Sequence, residues 1–194
     1  MMNLSIEKML EDSDLKYAAK HRMESGVGFM GIFTLDHYRE GELIHTQTGK
    51  NIVVTEGLNH LLDVVLGGVA ANNPWYVGIF KGNYTPIATN TAATALGALG
   101  LFTECQDADY ATPATNRPAY VDAAASGGVM TNTASKAAYT MSATITIYGA
   151  FLASSQAKTA TTGVLFCAKK FAASRAVISA DVLNVTYQLT ATSS

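Results

Sequence analysis

Apolar and polar residues alternate most regularly between Tyr139 and Phe151. Tyr139, Met141, Ala143, Ile145, Ile147, Gly149 and Phe151 take one set of positions, and Thr140, Ser142, Thr144 and Thr146 the other. A period of two over this length predicts a strand with one core face and one polar face, and Gly149 marks a bend or bulge within it. Leu183, Val185, Tyr187 and Leu189 repeat the pattern, which predicts a strand over 182–189. Residues 29–38 and 42–48 read as a hairpin turned by Arg39-Glu40-Gly41. Further strands are predicted at 52–54, 75–80, 119–124, 129–133 and 163–171. The period changes once. Leu58, Leu61, Leu62, Val65 and Leu66 recur at helical spacing, so a helix over about 56–66 is inserted between two strands. Thr55 is its expected N-cap, Glu56 lies near its positive end, and Gly67-Gly68 ends it. Its stripe is expected to lie on a sheet.

About eight to ten short strands separated by Gly- and Ser-rich turns predict a mainly β fold, a β-sandwich or jelly-roll-like domain with one inserted helix. That domain is expected over 26–194, with 1–25 as an N-terminal helical arm. Ile6, Met9, Leu10 and Tyr17 share roughly one face of the arm. So thin a stripe buries little alone, so the arm either rests solvated on its own domain or reaches a neighbouring subunit. Residues 82–100 read as a long Thr/Ala/Gly surface loop with one helical turn, and 104–118 as a second irregular stretch punctuated by Pro113 and Pro118.

Composition sharpens this picture. Only 14% of the residues are charged, against roughly 25% in a typical soluble protein. Residues 1–63 hold 6 Lys/Arg and 10 Asp/Glu, leaving 7 and 5 for the remaining two thirds. A surface so poor in charge suits one covered by other subunits. No basic run exists to neutralise a phosphate backbone, so nucleic acid is not an expected partner. No apolar run approaches the length of a membrane span, and the N-terminus lacks the basic-then-apolar order of a secretory signal.

Candidate chemistry is sparse. His37 and His45 face each other across the expected hairpin with Asp36 nearby, a set able to hold a metal if the register permits; otherwise they are polar residues on an exposed hairpin. Glu104, Asp107 and Asp109 offer oxygens to calcium but lack the spacing of a binding loop, and read as a solvated loop. There is no Gly-x-Ser-x-Gly elbow and no phosphate-binding Gly-Lys-Ser/Thr. Cys105 and Cys167 read as buried free thiols in preference to a disulfide. The tyrosines, Tyr76, Tyr84, Tyr110, Tyr120 and Tyr148 among them, serve either core packing or a sugar-binding surface. No catalytic residue, metal or cofactor is expected.

The run Asn51-Ile-Val-Val-Thr-Glu-Gly-Leu-Asn-His-Leu-Leu-Asp63, followed by Trp75-Tyr-Val-Gly-Ile-Phe-Lys-Gly82, resembles small virion structural proteins of tailed bacteriophages. Asn116-Arg-Pro-Ala-Tyr120, Thr133-Ala-Ser-Lys-Ala137, Tyr148-Gly-Ala-Phe-Leu152 and Leu183-Asn-Val-Thr-Tyr187 extend the resemblance over about 29–190. It implies a capsid cement (decoration) protein, made in the host cytoplasm and placed on the capsid exterior. Its partners would be the major capsid protein and copies of itself, as a dimer or trimer. The alternative is a tail or head-fibre accessory that binds a host-surface glycan. The resemblance carries no catalytic residues. The expected contacts are the arm (Ile6, Met9, Leu10, Tyr17) and the two loops, through Tyr84, Leu99, Leu101 and Tyr110.

Overall fold

The computed structural model describes residues 26–193. The expected helical arm over 1–25, with Ile6, Met9, Leu10 and Tyr17, lies outside the described residues. Two compact units are distinguished. One holds, among its described residues, only 26–29 and 191–193, the outer ends of β1 and β11. The other, Met30–Thr190, contains both cores and every candidate site residue considered below.

Two antiparallel sheets make the fold mainly β, as in a β-sandwich. The first has the order β2 (Glu42–Lys50), β1 (Val27–Arg39), β11 (Val182–Ser193), β8 (Ala137–Met141), β5 (Tyr110–Thr112), with β7 (Val129–Thr131) also on β11. The second has the order β3 (Ile52–Val53), β10 (Leu165–Val177), β9 (Ile145–Ala153), β4 (Trp75–Phe80), β6 (Ala119–Tyr120). The β1–β2 hairpin turns at Glu40 and Gly41, with φ of 52° and 84°. This is the paired left-handed geometry that suits the twist of a tight hairpin.

The main core lies between the sheets. Phe33 and Leu35 of β1, Tyr139 and Met141 of β8, and Leu183, Val185 and Tyr187 of β11 meet Val77 and Ile79 of β4 and Ile147 and Leu152 of β9. The alternation read in β11 is the one observed. The single strand expected over 139–151 is instead two. Tyr139 and Met141 belong to β8 in the first sheet, and Ile145 onward to β9 in the second. Residues 142–144 carry the chain across, with Ser142 N donating to Asp109 O at 3.0 Å. Each half keeps an apolar face toward the shared core, so the period survives the crossing and hides it.

β9 is buried on both faces beyond Tyr148. Its second face, with Phe80 and Ala168, forms another core under residues 82–103: Ala92, Ala95, Leu96 and Phe102 pack there on Phe151, Ala153 and Leu165. The expected surface loop is therefore a cover for the outer face of the second sheet. Its helical turn, α2 (Ala92–Ala95), is present, with the Thr91 and Thr94 side chains each bonded to the other's backbone. Gly149 has no room for a side chain, because a Cβ would strike the Phe80 ring and Lys169 O. The β9–β10 register slips beside it, between Lys170 and Arg175.

The inserted helix, α1, spans Thr55–Leu66. Thr55 is not its N-cap. Buried Val54 occupies that position in extended geometry, with no side-chain cap. Glu56 ties the first turn down instead, accepting from Ala92 N at 2.8 Å and Leu165 N at 2.7 Å. Gly67 caps the other end, donating to Asp63 O at 2.8 Å.

Candidate functional site

α1 settles on the second sheet through its smallest residue. Gly57 is the helix's buried position, and its Cα side lies against the Phe166 backbone. One turn on, Leu61 packs against the main core. The rest of the stripe does not lie on the sheet, contrary to expectation. Leu58 is 37% exposed, Leu62 54%, Val65 68% and Leu66 80%, and Val69 extends the patch beyond the helix. The periodicity is real, but contact at Gly57 rotates four of the five apolar side chains outward. No Lys or Arg lies on α1, and Asp63 is its one carboxylate beyond Glu56.

Between α1 and the sheets lies a half-open cavity of about 320 Å³. Trp75 sits in its lining, edge-on to Phe166 at 5.5 Å and to His60 at 5.6 Å. His60 Nε2 and Asn72 Nδ2 are 3.0 Å apart at its margin.

The expected contact residues separate. Leu99 is fully exposed in the cover, and Leu101 is about half exposed. Tyr84 is half-buried: its ring lies 5.9 Å from that of Phe102, and its hydroxyl accepts from Asn90 Nδ2 at 3.1 Å. Tyr110 is fully buried, which removes it from any surface. Its ring meets Tyr139 edge-on at 5.0 Å, and Lys158 Nζ stands 3.5 Å from its centroid. Tyr84 and Tyr110 thus do not form an exposed stacking surface.

In the 104–118 stretch Glu104 and Asp109 are buried, not solvated as expected, while Asp107 stays exposed. Arg117 and Glu104, both buried, pair through two bonds of 2.6 and 2.8 Å. Arg117 also donates to Ser155 O and Ala160 O, and Glu104 accepts from Gly97 N at 2.9 Å. Burial pushes the Glu104 carboxyl up, and Arg117 opposes that. Asp109 pairs with Lys81 at 2.7 Å, and Asp107 with Lys158 at 3.1 Å. These carboxylates are spent on cations of the chain itself.

His37 and His45 are cross-strand partners, as the hairpin required. Yet His37 is fully buried, not exposed. Its Nε2 bonds to Asp181 Oδ2 at 2.7 Å, and its Nδ1 accepts from Arg175 Nε at 2.6 Å. Both ring nitrogens are occupied, so neither can ligate a metal. Asp36 is held by Thr46 and Lys136. Among the described residues no group of three or more His, Cys, Asp or Glu is placed to hold a metal ion. Cys105 and Cys167 are free and buried, and burial raises both thiols, Cys167 to about 12.

No family model matches the chain, and no curated protein matches it. Among the described residues no helix is long and apolar enough to cross a membrane.

The strongest surface feature is therefore the outward face of α1. The stripe is legible in the spacing of Leu58, Leu61, Leu62, Val65 and Leu66, which by itself suits a core-facing helix. The signal that would have corrected this is Gly57, the one residue of the helix small enough to let it approach the sheet closely.

Proposed function

We propose that this chain is a structural protein of a tailed-phage virion, a cement protein binding across neighbouring major capsid subunits on the capsid exterior. The reading includes self-association as a dimer or trimer, a jelly-roll-like arrangement of the sandwich, and an N-terminal arm that adds a second contact. One observation supports it above the others: Leu62, Val65 and Leu66 of a single helix are each more than half exposed, with Leu58 beside them at 37%. Monomers seldom expose a contiguous apolar patch beyond a few hundred Å², and a larger one marks a contact surface. Leu99, raised on a cover anchored by the Glu104–Gly97 bond, supplies a second apolar point. Many copies on a lattice turn such modest contacts into firm attachment.

The test uses capsids assembled without this protein. Wild-type chain and a Leu62→Lys/Leu66→Lys variant are added, and occupancy is read by electron microscopy. The variant is expected to keep its melting temperature and lose occupancy. Equal occupancy would remove the α1 face from the contact, and no occupancy by the wild type would remove the capsid role.

A further inference from the structure

We propose that the cavity under α1 is a binding site for a small, neutral, apolar molecule, aromatic or short-chain aliphatic. Its floor is inter-sheet core. Tyr187 comes from the first sheet, and Tyr120, Leu152 and Phe166 from the second. All four are buried, so the space reaches between the layers and is more than a dimple on the surface. Leu61 and Val64 of α1 form the outer wall, which the mostly exposed Val65 only borders.

The lining defines the occupant. No charged side chain borders the space. A charged group placed there would lose its hydration with no partner to replace it. Several of the polar atoms at hand are already paired. The Tyr120 hydroxyl donates to Tyr187 O at 3.3 Å, the Tyr187 hydroxyl accepts from Asn51 Nδ2 at 3.5 Å, and Asn72 bonds His60. A buried water needs two to four polar partners, and these walls offer few. Apolar walls without neighbours forfeit dispersion contacts, which an apolar guest restores. For scale, an engineered apolar cavity of about 150 Å³ admits benzene, and this one is about 320 Å³.

The chain has one tryptophan, Trp75, and it lines the cavity, so its fluorescence reports occupancy directly. The full chain is titrated with naphthalene and, separately, with 2-naphthoate, the same rings carrying a carboxylate. Naphthalene is expected to produce a saturable one-site change, and 2-naphthoate to bind at least about tenfold more weakly. Val64→Phe, which fills the space from the helix, is expected to weaken naphthalene binding by about tenfold or more, while the outward-facing Leu62→Phe leaves it unchanged. Circular dichroism verifies folding, and Ala71→Phe fills the space from the other side should Val64→Phe fail to fold. No saturable change overturns the proposal, as does equal binding of the two probes. Sedimentation at rising concentration gives a further outcome. Self-association lost in Val64→Phe but kept in Leu62→Phe would mean that a second copy fills the space, and would also overturn it.

Discussion

Arg175 donates its Nε–H to Nδ1 of His37 across 2.6 Å, joining β10 of one sheet to β1 of the other. Because Nδ1 accepts, the proton of the neutral ring sits on Nε2 and is given to Asp181. Asp181 is also held by Arg39 through bonds of 2.9 and 2.8 Å. Burial lowers the His37 pKa from 6.5, and the Asp181 contact only partly offsets this. The Arg39 bonds hold Asp181 far below the usual carboxylate range.

Both shifts have the same consequence. The unfolded chain takes up a proton on histidine near 6.5, before the folded chain does, so the His37 contribution is whole above that value and is lost as pH falls toward its folded value. Asp181 keeps its contribution above the ordinary carboxylate range and loses it only in stronger acid. The melting temperature is expected to fall from about pH 7 to about pH 5. His37→Gln should lower it at neutral pH and flatten that dependence. An unchanged slope in the variant would place the titration elsewhere.

Glu104 and Arg117 form a buried pair whose donors and acceptors are matched by Gly97, Ser155 and Ala160. Removing one partner strands a charge without water. Arg117→Met or Glu104→Leu alone is expected to cost about 3–5 kcal/mol, whereas both together should cost less than either. Denaturant unfolding of the three variants measures this, and a simple sum of the single effects would show the two charges to be uncoupled.

Gly57→Ala sets two effects against each other. Alanine favours a helix by roughly 1 kcal/mol over glycine. But the new Cβ meets Phe166 O and lies 2.7 Å from Phe166 Cα, backbone atoms of a paired strand that cannot swing aside. Overpacking of this kind costs about 1–3 kcal/mol, so net destabilisation is expected. Hydrogen exchange should show α1 amides losing protection first; a stabilised variant would mean the helix seats itself differently.

Cys105 and Cys167 are buried, and their raised thiol pKa values keep the reactive thiolate scarce. A thiol reagent near neutral pH is expected to label neither in the folded chain and both in denaturant. Rapid labelling of the native protein would show that the core opens.

Much of this fold was legible from the chain alone. The hairpin turn at Glu40-Gly41, the bounds of β4, the alternation of β11 and the extent of α1 all follow from local patterns. Backbone preference and side-chain period act over a few residues, so nearby sequence specifies them. Which surface each apolar side chain meets was decided only in three dimensions. The pattern over 139–151 is the same whether one sheet holds it or two. Residues 82–103 look like a loop until the outer face of the second sheet is there to be covered. Glu104 and Asp109 appear solvated until Arg117 and Lys81 arrive from distant positions. The α1 stripe shows the division most clearly. Spacing establishes that five apolar side chains share an arc, but hydrophobicity has no direction, and the approach at Gly57 decides which of them remain for another molecule.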